Sequence, residues 1–458
     1  MHRQHAEALQ RIQERGFHHV RVGGFDIDGV LRGKYISLGK LESALQSGIG
    51  FCDVIFGWDI GDALYEDAGV SFTGWHSGYP DTLAHLEVDT LRWVPWEGGV
   101  PFILLDFYQP DGSPLEVSPR QVLRRVIDRC RKAGFEPYFA SEFEFFLFRE
   151  TPQSLRQKNF RNLEHLTPGM FGYSVLRASA NSELVGDLVH HMRNFDLELE
   201  GIHTETGPGV YEAAIAYGPC LASADRAALF KTSAKEILAK HGVIANFMAK
   251  FSESLPGCSG HTHQSLWDLE SRSNLFHDAN APNRMSDTLR WYLGGLCEVL
   301  PDFLAMFCPT INSYKRLVPG YWAPTRACWG PENRTVALRL IPGTSSKSMR
   351  IENRLVGSDA NPYLAYAASL AAGLYGIENR VEPPEAVVGN GYAAPDSAGE
   401  LLPGSLEAAS AKLRGSKIAR DFFGDAFVDH FAATRDWEVR QFRKAVTDWE
   451  LARYLELV

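Results

Sequence analysis

Positive charge is in short supply in this 458-residue sequence: 46 lysines and arginines face 56 acidic residues, a net charge of -10. That balance disfavours nucleic acid or anionic lipid as the main partner. Cysteine is scarce too. The seven (52, 130, 220, 258, 297, 308 and 328) are odd in number, scattered and never in a CxxC or other zinc spacing, so they exclude a disulfide framework and read as reduced thiols in a cytosol. No apolar run is long enough to cross a bilayer. The longest uncharged helical candidate, Tyr363 to Ile377, is short and rich in alanine, as suits a packed core helix. The opening residues, MHRQHAEALQRIQERG, lack the apolar stretch of a signal peptide. Internal repeats and low-complexity tracts are absent. What remains is an ordinary globular composition in a chain long enough for two or more domains.

The informative stretch is Phe139-Ala140-Ser141-Glu142-Phe143-Glu144-Phe145-Phe146-Leu147-Phe148. Residues this aromatic favour a buried strand, in which Glu142 and Glu144 share one face while Phe143 and Phe145 take the other. Two carboxylates inside an apolar run need a cation, either a salt-bridge partner or a divalent metal. Later segments repeat the pattern. Gly207-Pro208-Gly209 is a tight turn that lets Glu205 and Glu212 leave neighbouring strands and return to one place, although solvated loop acids are the plain alternative. His261 and His263 share a face as well; a lone pair of histidines is more often a satisfied core pair than a ligand set. Arg350, Glu352 and Arg354 alternate on one further face, after Arg316, Arg334 and Arg339. Repeated arginines on strand faces suit phosphates and carboxylates, which the guanidinium fork binds bidentately.

Around these segments the chain punctuates itself clearly. Val20 to Ile36 alternates like a hairpin turning near Asp28-Gly29, and residues 51–96 are aromatic and irregular until a strand-like close at Thr90 to Trp96. Phe102 to Phe107 reads as a strand, giving a small, mainly β unit over 16–112. Ser118-Pro119-Arg120-Gln121 carries a helix start with a capping box, and Gly134 stops that helix. Residues 151–172 read as a loop or flap; Ser182 to Phe195 and Ala222 to His241 read as helices. Together the one-sided strands predict an open sheet or half barrel whose polar face holds metals at one part and anions at another. Oxygen-rich ligation suits Mg²⁺ or Mn²⁺, and metals beside arginines suit phosphoryl transfer from ATP.

The motifs SEFEFFLF, HTETGPGVYE, GCSGHTHQSL, NSYKRLVPGY, NRTVALR and RIENR, in this order, resemble those of the glutamine synthetase family over nearly the whole chain. The resemblance implies an α+β fold with a β-grasp-like domain (16–112) and a catalytic domain (113–458) built on a curved antiparallel sheet flanked by helices. It implies ATP as cofactor and two or more Mg²⁺ or Mn²⁺ ions, one held by Glu144, Glu205 and Glu212 and another by Glu142, His261 and Glu352. Arg316 and Arg354 would grip glutamate beside Gly257, Arg334 and Arg339 would act on the phosphoryl group, and Arg350 would face the ATP phosphates. Tyr217 would stack on adenine, with His263 and Ser265 lining the nucleotide site. Removing Glu144 or Glu352 is then expected to abolish activity with little loss of fold. A cytoplasmic dodecamer of two stacked hexameric rings is implied, each site closed by the small domain of the next subunit.

Two departures from that family's pattern bear on the substrate. Its glutamate after Lys-Arg-Leu-Val-Pro-Gly-Tyr, which helps hold and deprotonate ammonium, is Trp322 here, and the usual glutamine of Gly-Gln-x-Glu is Val210. Its Asp-Gly-Ser-Ser motif is missing, with Asp59 or Asp62 as stand-ins. A larger, less polar amine pocket follows. An alkylamine, with a pKa near ~10, needs both a negative site and a base, whereas an arylamine is neutral and needs neither. The sequence thus resembles the γ-glutamylanilide and γ-glutamyl-alkylamide synthetases. γ-Glutamylpolyamine or glutamate–ethanolamine ligase, then glutamine synthetase proper, are the alternatives, followed by a non-catalytic structural homologue.

Overall fold

Two sheets organise the chain in the computed structural model, which describes residues 3–66 and 69–458. The first has five strands, β1 (His19–Phe25), β2 (Leu31–Ser37), β3 (Ile49–Cys52), β4 (Asp81–Val94) and β5 (Val100–Tyr108), in the order β2-β1-β5-β4-β3. Neighbours are antiparallel except β1 and β5, which run parallel. The expected hairpin is present, its turn set by Asp26, whose Oδ1 accepts from the amides of Asp28 and Val30. The stretch 51–96 is more regular than its composition suggests, because β4 already begins at Asp81. The buried face of that first half is Thr82, Ala84 and Leu86, too weakly apolar to announce a strand. One side of the sheet packs on the helices Arg3–Glu14 and Leu38–Ser47 through Val20, Val22, Ile103 and Leu105, and the other joins the main core through Phe25, Phe102 and Leu104.

The helix Pro119–Lys132 starts and stops as expected, yet its capping box does not form. Ser118 makes no side-chain cap and Gln121 donates instead to the Phe107 carbonyl. Both residues are buried, so a tertiary acceptor replaces the local one.

The second sheet has nine strands: β6 (Phe135–Phe148), β7 (Leu199–Thr204), β8 (Val210–Ile215), β9 (Gly218–Pro219), β10 (Ile244–Asn246), β11 (Thr262–Asp268), β12 (Trp329–Pro331), β13 (Leu338–Ile341) and β14 (Arg350–Asn353). Its order is β12-β13-β14-β11-β6-β8-β7, with β9 and β10 also paired to β6. All pairs are antiparallel except β12 and β13. Along β6 burial alternates as predicted up to Glu144, then becomes continuous. The reason is that residues 163–166 cover the second face there, with His165 packed on Phe146 and Phe148. The expected flap is therefore partly ordered: it includes a short helix, Pro152–Gln157, and Glu150 pins it by accepting from Lys158 Nζ (2.6 Å) and the Glu164 amide (3.0 Å).

Behind the sheet, the helices Cys220–Ala239, Asp287–Phe307 and Pro362–Asn379 fill the core. Pro362–Asn379 needs its small residues, since a Cβ on Gly376 would lie 2.6 Å from the Gly295 amide nitrogen of the facing helix. Among the described residues no helix is long and apolar enough to cross a membrane.

Candidate active site

Strand register gathers the predicted charges on one face. Pairing of β6 with β8 sets Glu144 opposite Glu212, and β7 adds His203 opposite Glu212. Across β6 on the other side, His263 of β11 lies opposite Ala140 and also opposite Glu352 of β14, which in turn faces Arg339 of β13. Glu205 arrives from the end of β7, where Gly207 and Gly209 take the positive φ values (148° and 69°) that the returning turn requires. A cavity of about 460 Å³ opens on this face. Its wall includes Glu142, Glu144, Glu205, Glu212, His261 and Glu352, together with Val210, Gly257, Arg316, Trp322, Arg334, Arg339 and Arg354.

The cavity has an acidic half. Glu205, Glu212 and His203 offer ligand atoms within 4.8 Å of one another, and Glu144 joins them across the register. Among the described residues no lysine or arginine forms an ion pair with Glu144, Glu205 or Glu212; the one partner is His203, whose Nε2 is 3.2 Å from Glu205 Oε1. Burial, and then Glu144 and Glu142, push the Glu212 carboxyl up to about 9. Burial also works against the Glu205 carboxylate, but His203 and the Thr206 amide hold it below its usual range. Carboxylates this close and this poorly compensated fit a divalent cation.

The other half is balanced by protein cations. Glu352 is buried and takes Arg339 Nη1 at 3.1 Å and Arg354 Nη1, and His261 Nδ1 lies 3.2 Å away. Burial opposes its charge, yet Arg354 and His261 hold it at about 2. Both histidines stand near Glu142, His261 Nδ1 at 3.7 Å and His263 Nε2 at 3.1 Å. They differ in what is free. Arg350 Nε donates to His263 Nδ1 at 3.1 Å, which places a neutral ring's proton on Nε2. His261 Nδ1 has no donor on it, and burial then Arg354 keep that ring neutral. His261 is thus the better ligand beside Glu142 and Glu352, although His263 also falls in that cluster.

The arginines are placed less simply than expected. Arg316 donates both Nη atoms to the carbonyls of Leu355 and Arg354, at 2.9 and 2.8 Å. Gly257 lies against it: a Cβ there would sit 2.8 Å from Arg316 Cγ and 2.5 Å from the Ala249 carbonyl. The Nε atoms of Arg339 and Arg354 are buried without a partner, and Arg334 makes no ion pair or hydrogen bond among the described residues. Unpaired donors around one cavity suit an anion. Trp322 adopts a positive φ of 54° and is 55% exposed, while Val210 is buried with Phe146 and Phe148.

Tyr217, His263, Ser265 and Arg350 line an adjoining cavity of about 300 Å³ that shares Glu142 and Ala214 with the first. Tyr217 is exposed, its ring 6.2 Å from Tyr138, which stacks obliquely on Trp267 at 5.1 Å. Asp59 is held in its own chain by the amides of Gly61 and Ala63 and by Trp437 Nε1 at 3.0 Å, and Asp62 pairs with Arg32 at 2.7 Å. Sequence reasoning missed His203, although it sits at period two from Glu205, and Tyr173, whose ring stacks on His203 at 4.4 Å from a loop that carries no motif.

Residues 116–454 match the glutamine synthetase catalytic domain. The chain belongs to the glutamine synthetase family. It is 51% identical to type-1 glutamine synthetase 2 of Dictyostelium discoideum over 96% of this chain and 84% of that one. It is 39% identical to glutamate–isopropylamine ligase of a Pseudomonas species, over 98% and 97%. Among solved structures, a GmaS–ADP complex superposes with a TM-score of 0.85 at 28% identity, covering 98% and 99%. The α+β architecture, with a curled half-barrel sheet beside a smaller grasp-like one, is that of glutamine synthetases. The chain is accordingly an ATP-dependent carbon–nitrogen ligase acting on glutamate and an amine, in a family that uses divalent metal ions.

Proposed function

We propose that this ligase joins the γ-carboxylate of L-glutamate to an apolar amine, aniline-like or a small alkylamine, releasing ADP and phosphate. Trp322 carries the reading, because an indole on the cavity wall stands where an ammonium-using homologue needs a carboxylate. Val210 adds a second apolar surface one residue from Tyr211 and two from Glu212.

In this reading Arg316 and Arg354 hold glutamate beside Gly257. ATP occupies the adjoining cavity against Tyr217, His263, Ser265 and Arg350. Two Mg²⁺ or Mn²⁺ ions, one at Glu144, Glu205 and Glu212 and one at Glu142, His261 and Glu352, neutralise phosphate charge when bound. Arg334 and Arg339 stabilise the moving phosphoryl group. Transfer to the γ-carboxylate makes an acyl phosphate; the amine nitrogen attacks its carbonyl carbon, and phosphate leaves. Dodecameric assembly, with the 16–112 unit closing the next subunit's site, and a cytoplasmic location belong to the same proposal. The 51% relative, named a glutamine synthetase, favours ammonia as the second reading.

Phosphate release at fixed glutamate and ATP separates the two. Isopropylamine or aniline is expected to exceed ammonia and putrescine in kcat/KM by about tenfold or more, the scale of a few apolar contacts. Trp322→Glu is expected to erase that preference while the fold stands, since a half-exposed carboxylate stays hydrated. A wild type that prefers ammonia or putrescine refutes the apolar-amine reading.

A further inference from the structure

Arg339 is held from two sides. Its Nη1 donates to Glu352 Oε2 at 3.1 Å, and its Nη2 donates to Glu332 Oε2 at 2.5 Å. The two carboxylates differ. Glu352 is buried, lines the larger cavity and gives its other oxygen to Arg354 and His261. Glu332 is 52% exposed, lines neither cavity and makes no second ion pair among the described residues. An ion pair with so exposed a partner adds little to stability, so stability gives no reason for the backbone conformation that Glu332 adopts.

That residue sits in the left-handed region at φ 52°, which strains a residue with a side chain unless its surroundings impose it. Pairing of β12 with β13 sets Gly330 beside Arg339, and the Glu332 amide extends the ladder by donating to the Leu340 carbonyl at 2.9 Å. The next residue is anchored elsewhere. Asn333 Nδ2 donates to the carbonyls of Val387 and Gly389 at 3.1 and 2.9 Å, and its Oδ1 accepts from the Thr335 amide at 2.9 Å. The chain thus turns at Glu332 between two fixed points, and the turn leaves the carboxylate on the Arg339 guanidinium. Arg339 keeps a buried Nε without a partner and lines the cavity with Arg334, two residues beyond Glu332.

We propose that Glu332 is a positioning residue for phosphoryl transfer: from outside the cavity it fixes one Nη of Arg339, so that the guanidinium presents its remaining donors to the transferring group in one orientation. Glu352 is a poor sole anchor for this. In the proposed function it also ligates a metal, and a carboxylate divided among an ion, Arg354 and Arg339 holds none of them by itself. Glu332 serves Arg339 alone. A fork already held at one Nη gives up less freedom when it meets phosphate oxygens, which is preorganisation. The inference rests on the proposed function in taking Arg339 to touch the phosphoryl group, and it is independent of the amine. Charge competition predicts the opposite sign, because a carboxylate on Arg339 also weakens its pull on an anion, and removing Glu332 would then speed the reaction.

Single-turnover formation of ADP from ATP and glutamate, with no amine present, reads phosphoryl transfer alone on the full chain. Glu332→Ala is expected to slow it by about tenfold or more, since misplacing a reacting group by an ångström costs up to about a hundredfold. Calorimetric binding of ADP should stay within about twofold of wild type, which also shows that the site is folded. Glu332→Gln keeps an oxygen at the same reach and should recover most of the rate. In an Arg339→Lys background, itself slow, Glu332→Ala should cost no more than about twofold further, because residues acting through one another are not additive. A Glu332→Ala variant that transfers phosphoryl at the wild-type rate or faster, or that is slowed equally in both backgrounds, overturns the proposal while Arg339 keeps its place. Arg339→Lys at the wild-type rate would defeat the placing of Arg339 at the phosphoryl group, and the proposal with it.

Discussion

Glu212 and Glu352 stand on one sheet face and serve one cavity, yet the protein holds them in opposite ways. Glu352 is enclosed by Arg339, Arg354 and His261 and stays ionised. Glu212 is surrounded by Glu144, Glu142 and Glu205, and its charge is disfavoured. The difference lies in what each cluster has before a metal arrives: the Glu352 half is already ionised by its arginines, so a metal beside Glu142 and His261 would meet a formed carboxylate with spare guanidinium donors nearby for an anion, whereas the Glu212 half is short of positive charge and depends on a metal to ionise. Strand order makes this possible, since β13 and β14 bring arginines to one flank of β6 while β7 and β8 bring only carboxylates and His203 to the other.

Alanine substitutions on the two flanks should break the symmetry most visibly. Both Glu352→Ala and Glu212→Ala are expected to cut turnover by more than about a hundredfold, as loss of a metal-site residue does. Their effects on the metal-free fold should diverge. Glu352→Ala leaves two guanidiniums without their buried partner and should cost about 3 kcal/mol in denaturant unfolding. Glu212→Ala relieves repulsion and should leave stability unchanged or higher. Little loss of fold is accordingly predicted for the acidic flank, Glu144 included, and a measurable loss for Glu352, whose arginine partners a sequence reading does not reveal. Equal destabilisation by the two variants would contradict the contrast.

Val210→Gln probes the apolar wall beside the acidic flank. Its amide would enter the cluster of Phe146, Phe148 and Cys258 with no partner, costing about 1–3 kcal/mol, and should raise the KM for an apolar amine several-fold. An unaltered KM would detach Val210 from the amine pocket.

The smallest effect expected is on pH dependence. The folded-state pKa of Glu212 lies above its unfolded value, so its contribution to the stability of metal-free protein is complete below pH 4.5 and is lost as pH rises towards about 9. Glu352 runs the other way, contributing above 4.5 and losing that contribution as pH falls through about 2. Melting temperature of the metal-free wild type should therefore fall more steeply with rising pH across 4.5 to 9 than that of Glu212→Gln. Identical slopes would remove Glu212 from the explanation.

Much of this site was legible because a strand's period of two prints itself on the sequence. Glu142 and Glu144 in an aromatic run, Glu205 and Glu212 around a Gly-Pro-Gly turn, and alternating Arg350 and Glu352 declare a shared face before any pairing is known. Partners from distant segments leave no such trace. Arg120 reads as a helix start, yet it is a buried link from Asp106 on the first sheet to Asp225 behind the second, at 2.7 and 2.9 Å. The pairing of Glu352 with Arg339 and the hydrogen bond that Asp59 accepts from Trp437 depend on tertiary contacts of this kind. Helix ends followed local rules at Pro119 and Gly134, while the Ser118 cap failed because burial supplied Gln121 with another acceptor.

The central contrast is tested most directly by calorimetric titration of Mg²⁺ into metal-free wild type and Glu212→Gln. Wild type is expected to bind two ions or more per chain. Glu212→Gln is expected to lose one of them and to keep the remainder within about threefold in affinity, because the Glu142, His261 and Glu352 cluster does not share its ligands. A wild type that takes up no divalent cation, or a Glu212→Gln variant that titrates like the wild type, would contradict the account.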